Sequence, residues 1–239
     1  MLPRSLHCVP HQCNQRNVSE EHVNVCKAIK GKYTDLSVHN NILKQIDQLS
    51  TAAGYTTATE TVLDHHTPVN DRQQNGSGRL NRTDLTIYQV GNPLSQVKRP
   101  APVNLTIDIS ITNNACDTYI AKKSHLTQGV AAMDRWASKN NKHKERATAA
   151  GLTFMPFVIE TGGYMEPHAV RLVEILCREV AEKRGGDYGK TKGYWMARIS
   201  AMFHKSMYLK FQDRINALLQ HNNPQKLNLS EMDNEIDAY

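Results

Sequence analysis

The chain has 239 residues, 39% of them hydrophobic, enough for one α/β domain with a short appendage but hardly for two full domains. No run of about eighteen apolar residues occurs, and the opening residues MLPRSLHCVPHQC lack the apolar core of a signal peptide. The sequence therefore predicts no membrane span and no secretion, with an intracellular location that is nuclear if the source is eukaryotic. Net charge is +6, yet the tail from Leu227 to Tyr239 holds Glu231, Asp233, Glu235 and Asp237 with no Lys or Arg, so the remaining body carries +10. Such an excess suits a polyanion, because each neutralised phosphate releases counterions. Simple solubility explains the charge equally well.

Three of the five cysteines crowd the first 26 residues, while Cys116 and Cys177 stand alone in apolar surroundings. That distribution argues for a metal cluster and two core thiols, not a disulfide framework. Cys8-x4-Cys13-x8-His22-x3-Cys26 offers three thiols and an imidazole, enough for a tetrahedral Zn²⁺ site, with His7 and His11 as alternative donors.

Val38, Ile42, Ile46, Leu49, Ala52 and Ala53 recur at helical spacing over 36–53, with Asp35 or Ser37 as N-cap and Gly54 just beyond. The β-branched run at 55–62 predicts a strand, and 68–78, full of turn-formers, predicts a loop. Two more strands are expected at 85–90 and 105–111, joined by a Gly/Pro-bearing stretch; in the second, Asp108 and Ser110 share one face and Ile107, Ile109 and Ile111 the other. Residues 121–149 read as one long helix with an interruption near Gly129, and 154–159 as a buried strand whose Pro156 points to an edge or early position. Helices at 168–183 and 194–220 close the chain, and the gap 184–193 reads as a mobile linker. The order α-β-β-β-α-β-α-α gives an α/β core with a helical C-terminal layer.

Metal-assisted phosphodiester hydrolysis needs carboxylates that hold one or two Mg²⁺ ions and a cation that positions water or phosphate. Asp84 leads into one strand, and Asp108 lies inside the next, where a lone acid is costly unless it binds something. Glu60 lies on the preceding strand and a basic helix follows, with Arg135, Lys139, Lys142 and Arg146 in a stripe that could simply bind phosphates. Structural roles compete at each position: a turn or cap for Asp84, a solvated strand position for Glu60, a solvated helix face for the lysines. GluThrGlyGly (160–163) is either a tight turn, the favoured reading, or a point of close backbone approach to phosphate.

The order helix, strand with Glu, strand opening with Asp, strand containing Asp, helix bearing Lys resembles the PD-(D/E)XK nuclease core. More specifically, ArgThrAspLeu (82–85), IleAspIleSerIleThrAsn (107–113), LysAsnAsnLysHis (139–143), AlaAlaGlyLeuThrPheMetProPheValIleGluThrGlyGly (149–163) and TrpMetAlaArgIleSer (195–200) resemble the restriction-enzyme-like endonuclease domain of site-specific non-long-terminal-repeat retrotransposons. HisAsnAsnIleLeu (39–43) and AlaAlaGlyTyr (52–55) match the stretch that precedes it in that family, and the resemblance covers roughly residues 8 to 220. It implies an α/β restriction-endonuclease-like core (α-β-β-β-α-β) with C-terminal helices, Asp84 and Asp108 as Mg²⁺ (or Mn²⁺) ligands, Lys139 or Lys142 as the catalytic cation and Glu60 as an extra ligand. It also implies that Cys8, Cys13, His22 and Cys26 form the family's Cys-Cys-His-Cys knuckle, although the first gap here is four residues where the family has two. Three positions depart from the family or the fold: Thr83 stands for a Pro, His143 for a Tyr, and Ser110 for the Lys that other members of the fold carry two residues after the second acid, so the positive charge must come from the helix.

The expectation is a zinc-knuckle-like segment at 1–34, an endonuclease-like core at 35–183, a helical extension at 184–222 and a disordered acidic tail at 223–239. The activity expected is nicking of a DNA target so that the exposed 3′ end primes reverse transcription, with Arg82, Arg135, Lys144 and Arg146 on the nucleic acid. DNA is the expected partner, RNA a second candidate, and a reverse transcriptase polypeptide a third. No polymerase lies within these residues, which leaves a fragment, a separately encoded domain or a degenerate remnant as origins. The rival is a catalytically inactive nucleic-acid-binding module, followed by a structure-specific resolvase on the same fold.

Overall fold

The computed structural model describes Cys8, Cys13, His22, Val23, Cys26, Ile29, residues 34–63 and residues 82–222. The predicted loop at 68–78, the alternative donors His7 and His11 and the acidic tail at 223–239 lie outside the described residues. The chain is mixed α/β and divides into two compact units, one of Ser37–Lys205 and one joining Met1–Leu36 to Ser206–Tyr239.

In the larger unit, helix α1 (Asp35–Ala52) buries Val38, Ile42, Ile46 and Leu49, the apolar stripe that its spacing predicts. Strands β1 (Thr57–Val62), β2 (Arg82–Gly91), β3 (Pro102–Thr112) and β4 (Thr153–Glu160) form one sheet in the order β1-β2-β3-β4. The first two pairings are antiparallel and the last is parallel, which requires a crossover between β3 and β4. Helices α2 (Asp117–Ala121) and α3 (Val130–Ala149) lie in that crossover, and α3 packs on β4 and β3. Leu85, Ile87, Leu105, Ile107, Met155 and Phe157 are fully buried in the core. Pro156 sits in the terminal strand of the sheet, where the hydrogen-bond donor it lacks costs least.

Two expectations about helices need correction. The interruption expected near Gly129 is present, but the stretch before it is not helical: the chain leaves α2 through turns, with Lys123 at φ 63° and Gly129 at φ 89°, and only then enters α3. Ser124 donates to Asn114 O (2.6 Å), holding these turns against the end of β3. A Cβ at Gly129 would lie 2.7 Å from the Tyr164 ring, so this break admits only glycine.

Nor is 184–193 a linker. Helix α4 (Pro167–Arg184) ends at left-handed Gly185, and α5 (Tyr188–Asn222) starts three residues later. Asp187 provides the start by accepting from Lys190 N (2.7 Å), as an N-cap does for the third helical residue. The low apolar content of 188–193 hides a helix whose first turns are capped rather than buried.

The smaller unit has its own apolar cluster of Cys8, Val23, Cys26, Ile29 and Leu218, with Phe211 and Ile215 of α5 packed against it. Arg214 donates to Cys26 O (2.6 Å) and Ile29 O (3.2 Å), and Lys210 bonds to Asp35. No helix among the described residues is long and apolar enough to cross a membrane.

Candidate functional site

The β2–β3 ladder reaches Leu85↔Ile107 and goes no further, whereas β2 stays paired to β1 through Arg82 and β3 to β4 through Thr112. Regular pairing of the two central strands thus ends at that pair, just before Asp84 on β2 and Asp108 on β3. The Ile109 amide, left without a β2 carbonyl, donates instead to Asp84 Oδ2 (2.5 Å). Like charges at facing positions of adjacent strands repel, so acids placed here are costly without a cation between them. Burial raises the pKa of Asp108, Lys139 opposes that rise, and the neighbouring Asp84 carboxylate adds to it by charge and hydrogen bonding.

Lys139 Nζ reaches Asp108 Oδ2 at 2.5 Å, and the two side chains are 20% and 15% exposed. One turn earlier on α3, Arg135 Nε donates to Ser110 Oγ at 2.9 Å. The match is geometric: α3 runs back over the sheet, four helical residues rise about 6 Å, and two strand residues span about 6.6 Å. The side chain of Arg135 therefore stands at Ser110. Lys142 and Lys144 are exposed on the same helix and Arg146 is half-buried, so geometry separates the two candidate lysines in favour of Lys139.

Glu60 is not brought into this cluster. It takes a left-handed conformation (φ 52°), and its carboxylate, 72% exposed, pairs with Arg82 at 2.8 Å. Arg82 is thereby engaged as well.

Two contributions were not read from the sequence. His39 on α1 places Nε2 2.8 Å from Asp84 Oδ2, with Nδ1 3.0 Å from Asn40 Oδ1. The hydrogen bond to Asp84 raises the His39 pKa, burial opposes it, and the charges of Asp84 and Asp108 reinforce it. No local pattern links residues 39 and 84; only the packing of α1 joins them. Glu160, 1% exposed, accepts from Ala132 N (3.0 Å) in the first turn of α3. A carboxylate there satisfies an unpaired amide and the positive end of the helix dipole, fixing the helix that carries Lys139. Gly163 N then donates to Glu160 O (2.7 Å) with φ 89°, so GluThrGlyGly is a tight turn. His143 lies 5.4 Å from the Phe154 ring, and burial, with Lys139, Lys142 and Arg146 nearby, pushes its pKa down to about 4.

The acid site fits a hard divalent cation. Its ligands are carboxylate oxygens, and the charge that burial and mutual repulsion penalise is what such an ion neutralises. Both donors to Asp84 are on Oδ2, so among the described residues no N–H group occupies Oδ1.

The smaller unit gathers Cys8, Cys13, His22 and Cys26, with one ligand atom from each within 4.8 Å of the others. Cys8 and Cys26 sulfurs are 3.5 Å apart, and Cys13 Sγ is 3.6 Å from His22 Nε2. Tetrahedral zinc with bonds of about 2.0–2.3 Å needs ligand–ligand edges on the order of 3.3–3.8 Å. Burial, and secondarily the Arg214 cation, lowers the His22 pKa, in the direction that favours the neutral, ligating imidazole. The longer first gap does not prevent the four donors from meeting, and the cluster is compatible with Zn²⁺.

No protein-family model matches the chain, and no curated protein matches it.

Proposed function

We propose that the larger unit is a Mg²⁺- or Mn²⁺-dependent DNA endonuclease of the restriction-enzyme-like kind. The observation that carries this reading is the meeting of Asp84, Asp108 and Lys139 where the β2–β3 pairing ends. The four-stranded mixed sheet between helices supports it, since carboxylates on adjacent strands and a cation from the following helix are what that core uses. Asp84 and Asp108 would hold the ion, which supplies Lewis-acid polarisation of the phosphate and an acidified water. Lys139, released from Asp108, orients the attacking water and offsets charge growing on the phosphoryl oxygens. Arg135 and the exposed Lys142 and Lys144 track the backbone. Water adds to phosphorus, one P–O bond breaks, and the leaving sugar oxygen takes a proton, exposing a 3′ hydroxyl.

The residues that resemble retrotransposon endonucleases extend the proposal to target nicking for reverse transcription, with a reverse transcriptase as partner and zinc in the Cys/His cluster. The test is relaxation of supercoiled plasmid by the zinc-loaded chain with Mg²⁺, with Mn²⁺ and with neither. Nicking that requires a divalent ion is the expected outcome. Binding to DNA with a steep salt slope and no nicking under any divalent ion would transfer the chain to the inactive binding-module reading.

A further inference from the structure

We propose that His39 is the positioning residue of the first metal-binding carboxylate, an inference that rests on the endonuclease reading of Asp84 and Asp108. A carboxylate with both oxygens in solvent rotates freely about its last torsion, and a cation that binds it must stop that rotation at an entropic cost. Here Oδ2 of Asp84 is gripped from two directions. Ile109 N donates from β3 at 2.5 Å, tying Asp84 to the strand that carries Asp108. His39 Nε2 lies on the other side at 2.8 Å, from α1. Asn40 Oδ1, 3.0 Å from Nδ1, orients the ring in turn.

Two donors on one oxygen fix the plane of the carboxylate and leave Oδ1 without an N–H partner among the described residues, as a ligand oxygen would need. A donor also withdraws electron density from its acceptor and weakens it as a ligand, so the two effects oppose. In metal sites of known geometry, removing such an outer partner costs about 10–100-fold in metal affinity or activity, so orientation wins. His39 is adjacent to Val38 but outside the buried stripe of α1, whose core residues are Val38, Ile42, Ile46 and Leu49. Its removal should therefore leave the helix packed.

The experiment uses the zinc-loaded full chain with Mn²⁺ as the probe, binding being read by electron paramagnetic resonance and nicking by plasmid relaxation. Wild type is expected to bind a Mn²⁺ ion that Asp108→Asn abolishes. His39→Ala should bind it about 10–100-fold more weakly, with unchanged DNA affinity and melting temperature. His39→Gln, which keeps an N–H donor of similar reach, should recover most of the loss. Equal Mn²⁺ affinity in wild type and His39→Ala overturns the proposal, as does a wild type with no Mn²⁺ sensitive to Asp108→Asn. Parallel weakening in Ala and Gln variants with lowered melting temperatures also overturns it, since that marks a structural role. A wild type that binds Mn²⁺ at this site but never nicks DNA sinks the endonuclease reading and leaves the role of His39 standing.

Discussion

The four donors of the Cys/His cluster come from nineteen residues of sequence, whereas Asp84, Asp108 and Lys139 come from two strands and a helix spread over fifty-six. Two of the cluster's thiols, Cys8 and Cys26, are themselves core residues, beside Val23, Ile29 and Leu218. The acid site instead rests on a sheet whose own core, Leu85, Ile107 and Phe157 among others, is fully buried without it. Closing a short loop costs little entropy, and where the donors are themselves core residues a bound ion would add its binding free energy directly to the fold. A site where the pairing of two packed strands ends keeps its geometry with no ion, and the stability of the sheet holds like charges together. On the proposed reading, metal would be the scaffold in one unit and the guest in the other.

Removing zinc should therefore give the largest effect. Structural zinc contributes on the order of 10–16 kcal/mol to small sites of this kind, so chelation or Cys26→Ser should unfold the smaller unit. Hydrogen exchange should show lost protection at Val23 and Ile29 and in the Phe211–Leu218 stretch of α5, while β2–β4 stay protected. Native mass spectrometry should find one zinc. Cooperative melting of the sheet together with the cluster would break the comparison.

Next in size is the acid site. Asp108→Asn keeps the shape and removes the charge that retains the cation, so nicking should fall on the order of 10²–10³-fold or more. DNA affinity should hold or rise, because one carboxylate facing phosphate is lost. The fold should survive, since burial and Asp84 already disfavour that charge. A variant that nicks like wild type would mean that the acids serve some other purpose.

A finer distinction lies within α3. Lys139→Ala removes the ammonium held at Asp108, and rate should fall far more than affinity. Lys142→Ala should do the reverse, weakening DNA binding and flattening its salt dependence by about one unit of slope. Exchange of the two phenotypes would move the catalytic cation one turn along the helix.

The smallest effect concerns pH. His143 has a folded pKa of about 4 against an ordinary value of 6.5. Between those values the unfolded chain takes up a proton that the folded chain refuses, so stability falls as pH drops from about 6.5 toward 4, and is unaffected by this group above that window. The half-exposed ring keeps the loss modest. His143→Tyr, restoring the residue that the resembling family carries, should flatten that region of the urea-midpoint profile.

Much of this molecule follows from local pattern. β-rich composition placed β2 and alternation β3, the apolar stripe placed α1 and α4, and spacing selected Cys8, Cys13, His22 and Cys26, because donors this close in sequence meet through a short loop. Composition also marked Asp108 as anomalous, since an acid between isoleucines has few structural uses. Local pattern failed at the start of α5, which begins early because Asp187 caps it, and it marked the break near Gly129 without its cause, the Tyr164 ring. It could not choose between Lys139 and Lys142, which have the same chemistry three residues apart; the pitch of α3 against β3 brings Arg135 to Ser110 and Lys139 to Asp108. Glu60 and His39 show the same dependence in opposite directions. A left-handed residue in β1 hands Glu60 to Arg82, while the packing of α1 delivers His39 to Asp84, 45 positions away. Such contacts depend on how whole elements pack, to within an ångström, and no run of neighbouring residues encodes that.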